Sequence, residues 1–161
     1  MARTVGIGHQ DFEKVITEDI FYVDKTKFIQ EWWENKDEVT LITRPRRFGK
    51  TLNLSMVEKF FSVKYAGRGD LFENLYIWNQ EEYRELQGTY PVIFLSFAKV
   101  KETSFQNMRK KICLLIMDLY NQYDFLLDGE VLNEKEKAAY QEISPDMTDS
   151  LAADSLNRLS D

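Results

Sequence analysis

Residues 44–51 read RPRRFGKT, and they combine four basic side chains with a Gly-Lys-Thr triplet and no acidic residue. The octet matches the second half of the phosphate-loop pattern G-x-x-x-x-G-K-[ST], with Gly49, Lys50 and Thr51 at its final positions. Arg44 stands where that pattern has its first glycine. This spacing predicts a loop that binds the phosphates of a nucleotide.

Each part of the predicted loop has a chemical role. Backbone N–H groups would face the phosphates, because the start of a helix leaves its amides unpaired and carries partial positive charge. Lys50 would reach the β- and γ-phosphates, and the Thr51 hydroxyl would bind a phosphate-bound Mg²⁺. Gly49 permits close approach of the backbone. We expect ATP and Mg²⁺ as cofactors, held by Arg46, Arg47, Phe48, Gly49, Lys50 and Thr51, with Thr51 contacting the metal through the nucleotide.

The sequence on both sides of the octet predicts the strand and the helix that such a loop connects. Residues 38–43 (EVTLIT) are rich in β-branched types and follow a turn-like Asn-Lys-Asp, which favours a strand of a parallel sheet. Apolar residues then recur at helical spacing from Leu52 to Phe61. The competing interpretation is a basic turn in which Gly-Lys-Thr arose by chance, and both flanks argue against it.

Apolar periodicity and capping residues predict three further helices. Asp24 is placed to cap a helix over residues 25–33, which carries an apolar stripe. Ser104 is placed to cap the longest helix. Residues 151–159 predict a last amphipathic helix, whereas the acidic stretch from Asp124 up to it is predicted to be loop.

Alternation of these helices with apolar segments indicates an α/β fold with parallel strands. Residues 92–97 (VIFLSF) have the continuous apolar character of a buried parallel strand, and residues 20–23 read as a strand or an extended segment. Phe12 and Tyr22 have two interpretations, as core aromatics or as part of an adenine pocket. Their spacing favours the core.

The composition fits one domain with a substantial core, at 161 residues, 43% of them hydrophobic and 14% aromatic. No apolar run approaches the roughly 20 residues that cross a bilayer, and residues 1–6 lack the apolar stretch of a signal peptide. We therefore expect a cytoplasmic protein with no membrane partner. One cysteine and one histidine exclude an internal disulfide and give little support to a Cys/His zinc site.

The net charge of −6 is concentrated at one end of the chain. Residues 124–161 hold ten acidic residues against three basic ones, so the first 123 residues are nearly neutral. Four cations between Arg44 and Lys50 therefore indicate a local anion site, because nucleic-acid binding normally needs a broader basic face. We divide the chain into a nucleotide-binding body, residues 1–123, and an acidic loop with the start of a further helix of the same domain, residues 124–161.

Several short motifs together resemble the predicted AAA-ATPase-like family of bacterial P-loop proteins. They are Tyr22-Val23-Asp24-Lys25-Thr26, the octet at 44–51, Leu71-Phe72 and Tyr90-Pro91-Val92-Ile93. In that family the octet usually has arginine in place of the first glycine. The resemblance implies an ATP-binding, P-loop NTPase-like domain of three layers, α/β/α, and longer relatives often continue into a PD-(D/E)XK nuclease-like domain.

The resemblance also implies a Walker B strand that ends in acidic residues, and no such run follows Thr51. We therefore expect an N-terminal portion of a longer ATPase, with an incomplete sheet and with hydrolysis confined to the longer parent protein. Whether this chain is itself an enzyme stays open, since its own hydrolysis should be very slow. The unpaired sheet edges predict marginal stability, or support from self-association or from unrecognised strands.

Two other functions stay open at this point. One is a non-catalytic interaction module that retains the phosphate loop as a relic. The other is a nucleic-acid-associated regulatory domain, in which nucleic acid would be reached only through the parent's downstream nuclease-like domain.

Overall fold

A computed structural model describes residues 5–6 and 8–160, and the regular structure in this part of the chain is helical. Residues 1–4, on which the expectation about a signal peptide partly rests, lie outside it. None of the described helices is long and apolar enough to cross a membrane. The α-helices are α1 (Phe12–Thr17), α2 (Lys27–Asn35), α3 (Lys50–Phe61), α4 (Glu81–Arg84), α5 (Phe105–Asn121), α6 (Phe125–Asp128), α7 (Glu134–Gln141) and α8 (Asp149–Ser160).

The predicted three-layer α/β/α fold is wrong for the residues that the structure describes. In place of a sheet, residues 5–6 and 8–160 contain one isolated parallel bridge, between Ser62 and Tyr90. Short 3₁₀ turns at Val63–Tyr65, Gly69–Leu71 and Tyr76–Asn79 connect α3 to α4. The predicted strands at 38–43 and 92–97 are irregular, and so are residues 20–23, which were predicted as a strand or an extended segment.

The failure of the predicted strands has a physical reason. A strand persists only when a neighbouring strand accepts its backbone hydrogen bonds, and β-branched composition reports a preference without supplying that neighbour. Val39 and Leu41 show the consequence, since they are 86% and 82% exposed. Apolar residues of a central strand would be covered on both faces.

The chain divides into two compact units, the first ending at Val92 and the second beginning at Ile93. The core of the first unit gathers around α3, whose Met56, Phe60 and Phe61 are buried as the helical spacing predicted. Phe60 makes edge-to-face contacts with Phe61 and Phe72 at centroid distances of 5.0 and 5.1 Å. The division at residue 123, drawn from charge, stays a prediction.

Polar contacts hold α3 against the segment that leads into α1. The Phe12 amide donates to the Ser55 hydroxyl at 3.1 Å, in a buried position. Lys59, with 4% of its side chain exposed, pairs with Asp11 at 3.4 Å and donates to the Tyr65 hydroxyl at 3.3 Å. A buried ammonium needs such partners, so these contacts fix the helix that follows the loop.

The predicted helix at 25–33 is confirmed with a shifted start. It runs from Lys27 to Asn35, and its apolar stripe packs on the core, with Ile29 fully buried. The predicted cap is wrong, because the N-cap residue is Thr26 and the Asp24 carboxylate accepts from the Thr26 amide and hydroxyl. Asp24 therefore orders the chain before the helix.

The second unit is built on α5, which Ser104 caps as predicted by accepting a hydrogen bond from the Asn107 amide. Its core contains Cys113, consistent with a small buried hydrophobe. The predicted helix at 151–159 is confirmed as α8. The predicted loop before it is wrong in part, because α7 forms there with an Asn133 capping box, a signal that the Asn-x-x-Glu spacing carries.

Candidate functional site

A cavity of about 700 Å³ lies in the first unit, at the place where α3 begins. This size is within the range of small-molecule sites, about 300–1,000 Å³. Every residue of the predicted ligand set lines it: Arg46, Arg47, Phe48, Gly49, Lys50 and Thr51. The structure therefore brings all six predicted ligand residues to one concave surface.

The loop backbone is curved by two residues in the left-handed region. Arg47 has φ 68°, and Gly49 has φ 75° and ψ 20°. A left-handed residue followed by a right-handed one turns successive N–H groups toward a common point, which is the geometry of anion-binding concavities. Gly49 precedes the helical Lys50, so the amides at the start of α3 have this arrangement. Glycine adopts the conformation without steric cost, whereas Arg47 adopts it against its preference.

The N-terminus of α3 is open. Its N-cap residue is Gly49, which has no side chain to cap the helix, and its first turn has no acidic residue. The Asn53 amide donates to the Gly49 carbonyl at 2.9 Å and is the first to be paired along the helix. The amides before Asn53 have no partner within the helix, and the helix dipole adds positive potential there.

Lys50 folds back over its own loop. Its ammonium donates to the carbonyl oxygens of Arg44 and Pro45, the second at 3.1 Å. Among the described residues, none of the ion pairs with a carboxylate includes Lys50. The positive charge of Lys50 thus stays in the loop and is available to an anion.

The charges around the cavity have one sign. Lys25, Arg46, Arg47 and Lys50 line it, and the described lining includes no aspartate or glutamate. Grouped cations without acids repel one another and raise the affinity of the site for an anion. The cavity is therefore suited to a ligand with several negative charges.

The remaining lining is largely apolar and aromatic. It includes Val15, Ile20, Phe21, Val23 and Leu52, together with the imidazole of His9. Gly6 lies so close to that ring that a Cβ would come within 2.4 Å of Nε2. A cationic loop beside an apolar wall matches the two halves of a nucleotide, phosphates and base.

The two aromatic residues considered for an adenine pocket occupy different positions. Phe12 is fully buried in the core, stacked on Phe72 at 5.2 Å, and is not part of the cavity lining. Tyr22 lines the cavity, and its hydroxyl donates to the Met56 sulfur at 3.2 Å. Burial, with a smaller contribution from the Asp24 charge, raises the pKa of Tyr22 to about 12, so its hydroxyl stays protonated at neutral pH.

Sequence reasoning missed Lys25 and His9 as residues of this surface. Lys25 lies in a motif that was recognised, but it was assigned to a helix capped by Asp24 and to the family resemblance, not to the ligand set. His9 has no spacing relation to the loop in the sequence. Only the packing of the first unit brings these residues to residues 44–51.

Comparison with known proteins shows the family of the chain. The predicted AAA-ATPase family matches residues 6–155, almost the whole chain. The chain belongs to this family. Membership implies a nucleotide-binding, ATPase-like domain, and it confirms the resemblance noted in the sequence. The nuclease-like domain of longer relatives stays a prediction.

One relative is a protein of Azotobacter chroococcum mcd 1 named "Uncharacterized protein in vnfD 5′ region". The present chain is 33% identical to this relative over 115 residues, which cover 71% of the present chain and 21% of the relative. The chain thus corresponds to about a fifth of that protein. No solved structure matches the chain.

Proposed function

We propose that the cavity at the start of α3 binds a nucleoside triphosphate, ATP, together with Mg²⁺. The observation that supports this most strongly is the open helix N-terminus, which lies in a cavity lined by four cations and, among described residues, by no acid. Family membership supports a nucleotide as the ligand. The apolar wall gives room for the base.

In this proposal each loop residue has a defined task. The amides of residues 48–51 donate to phosphate oxygens, and the Lys50 ammonium leaves the Arg44 and Pro45 carbonyls for the β- and γ-phosphates. Arg46 and Arg47 offset the remaining charge. The site is of the Walker A type in its chemistry, and the left-handed turn at Gly49 is what allows the backbone to reach the ligand.

The side chains present also fit Mg²⁺ bound through the nucleotide. Thr51 provides a hydroxyl in the cavity lining, and no cluster of three His, Cys, Asp or Glu residues that could hold a metal by itself occurs in the described ranges. Mg²⁺ typically keeps several waters and binds one or two protein groups together with phosphates. When bound, it would neutralise phosphate charge.

ATP hydrolysis needs a further group that the described lining of the cavity does not contain. A carboxylate or an equivalent group has to position the attacking water in phosphoryl transfer. Because no described acid lines the cavity, we propose that this chain binds nucleotide and hydrolyses it very slowly. The faster ATPase reaction is a proposal for longer members of the family.

Calorimetric titration of the purified chain with Mg·ATP, and in parallel with adenosine, tests the proposal. We expect saturable binding of one Mg·ATP per chain, and at least about tenfold weaker binding of adenosine because it lacks every phosphate contact. An interaction module with a relic loop would give no saturable Mg·ATP signal. Equal affinities for the two ligands would show that the cations do not take part.

A further inference from the structure

Lys25 lies beside the turn that opens α3. A Cβ placed on Gly49 would be 3.5 Å from the Lys25 ammonium nitrogen, and both residues line the cavity. This lysine is 24 positions before Gly49 in the sequence and belongs to the segment that precedes α2. The start of α3 therefore has a cation from a second part of the chain close to its backbone.

Hydrogen bonds anchor the backbone on both sides of Lys25. The Tyr22 hydroxyl accepts from the Lys25 amide at 3.4 Å and donates to Met56 of α3. The Asp24 carboxylate accepts from the Tyr76 amide at 2.6 Å, and the buried Thr26 hydroxyl accepts from the Ile77 amide at 3.1 Å. The neighbours of Lys25 are thus engaged in holding the first unit together.

The Lys25 side chain itself takes no part in these contacts. It is exposed, and none of the ion pairs formed among the described residues includes it. Lys27, two positions later, illustrates the ordinary surface lysine, since it pairs with Glu31 at 3.1 Å. Lys25 differs in facing a cavity whose described lining has no carboxylate.

Two ammonium groups near one helix N-terminus repel each other and the positive end of the dipole. Lys50 is partly compensated by loop carbonyls, but Lys25 has no such partner in the described structure. A phosphate group at the Gly49 turn would remove this repulsion and would accept hydrogen bonds from both ammonium groups. The arrangement is therefore stabilised by an anion at that position.

We propose that Lys25 is a second phosphate-binding lysine, which contacts the diphosphate portion of the nucleotide beside Gly49. The inference rests on the proposed function and extends it, because it assigns a ligand contact outside the loop at 44–51. The ligand class is a nucleoside diphosphate or triphosphate. A nucleoside monophosphate, which lacks the β-phosphate, gains much less from this lysine.

Titration of three proteins with Mg·ADP and with AMP at one ionic strength tests the inference: wild type, Lys25→Gln and Lys27→Gln. We expect Lys25→Gln to weaken Mg·ADP binding about tenfold, which is the effect of losing one charge-assisted hydrogen bond. The same substitution should weaken AMP binding by less than about twofold. Lys27→Gln should leave both affinities within about twofold of wild type. Without ligand, the thermal midpoint of Lys25→Gln should not fall below that of Lys27→Gln, because Lys27 pairs with Glu31, whereas Lys25 pairs with no carboxylate of the described residues.

The outcomes separate this inference from the proposal on which it rests. If wild type binds Mg·ADP and Lys25→Gln retains its preference over AMP, the inference is overturned while nucleotide binding stands. If Lys25→Gln weakens the binding of Mg·ADP and of AMP by the same factor, Lys25 shapes the cavity without contacting the β-phosphate. That result would also overturn the inference. Absence of Mg·ADP binding by wild type would overturn both statements.

Discussion

The N-termini of α3 and α5 are built in opposite ways. At α5, the Ser104 hydroxyl accepts a hydrogen bond from the Asn107 amide at 3.3 Å, so the helix satisfies part of its own end. At α3, the N-cap is Gly49, which has no capping side chain, and the charged residues in the described lining of the cavity there are cations. The N-cap side chain of α5 accepts from one of the first amides of its helix, and the N-cap of α3 has no side chain that could do so.

This difference supports our proposal that the N-terminus of α3 is a ligand site. A capping side chain contributes about 1 kcal/mol of stability, and cations near a helix N-terminus are unfavourable by a few tenths of a kcal/mol. At α3 the N-cap has no capping side chain and cations line the adjacent cavity, so both effects reduce the stability of this helix end. Such departures from local rules are expected where a site has to stay available to a ligand.

The largest expected effect comes from removing the loop cation. Lys50→Ala should weaken Mg·ATP binding at least about tenfold, because a hydrogen bond to a charged group is worth roughly 1.5–3 kcal/mol. Calorimetric titration measures it. Lys110→Ala, on an exposed position of α5, is the matched control and should leave the affinity unchanged. Equal dissociation constants for wild type and Lys50→Ala would contradict the assignment of the loop.

The next effect tests the left-handed turn. Gly49→Ala should lower the free energy of unfolding by about 1 kcal/mol, since φ is 75° there, and should also weaken Mg·ATP binding severalfold by turning the amides of Lys50 and Thr51. Urea unfolding and titration measure the two effects.

Gly129→Ala is the control for this turn. Gly129 has φ −92°, and an added Cβ would meet its nearest neighbour at 3.8 Å, so alanine should fit without strain. A Gly49→Ala protein as stable as Gly129→Ala, with wild-type affinity, would show that the left-handed conformation is not required.

The cap of α5 should affect stability alone. Ser104→Ala removes the acceptor of the Asn107 amide and should lower the free energy of unfolding by about 1 kcal/mol, with Mg·ATP affinity unchanged. Ser104→Asp keeps an acceptor and should retain most of the stability in urea unfolding. If Ser104→Ala weakens nucleotide binding as Gly49→Ala does, the contrast between the two helix ends fails.

The smallest effect concerns Tyr22, which lines the cavity and contacts α3. Burial is the main cause that raises its pKa to about 12. The neutral hydroxyl is favoured in the fold, so its contribution is complete below the unfolded pKa of about 10 and is lost as the pH rises toward 12. Between pH 9 and 11, the free energy of unfolding should fall less steeply for Tyr22→Phe than for wild type, by about 1 kcal/mol or less. An equal dependence of the free energy of unfolding on pH in the two proteins would contradict the raised pKa of Tyr22.

Helices whose signals lie within a few neighbouring residues could be predicted from the sequence. The apolar spacing from Leu52 to Phe61 predicted α3, and Ser104 marked the start of α5, because periodicity and capping act within one or two turns. The strands predicted at 38–43 and 92–97 are wrong, since a strand depends on a partner elsewhere in the chain and local composition does not report that partner.

For the candidate site too, only the part formed by consecutive residues could be predicted from the sequence. The loop at 44–51 is one continuous segment, and all six predicted ligand residues line one cavity. Lys25 and His9 reach that cavity only through the packing of the first unit, so no spacing in the sequence relates them to the loop. Their positions follow from tertiary contacts such as Tyr22 to Met56.

A crystal structure of the chain with Mg·ADP is the most direct test of the central claim, that the open start of α3 binds phosphate. We predict a phosphate oxygen within about 3 Å of the Gly49, Lys50 or Thr51 amides, with the Lys50 ammonium moved from the Arg44 and Pro45 carbonyls to the ligand. An empty loop under saturating Mg·ADP, with Lys50 still on those carbonyls or on a carboxylate, would contradict it.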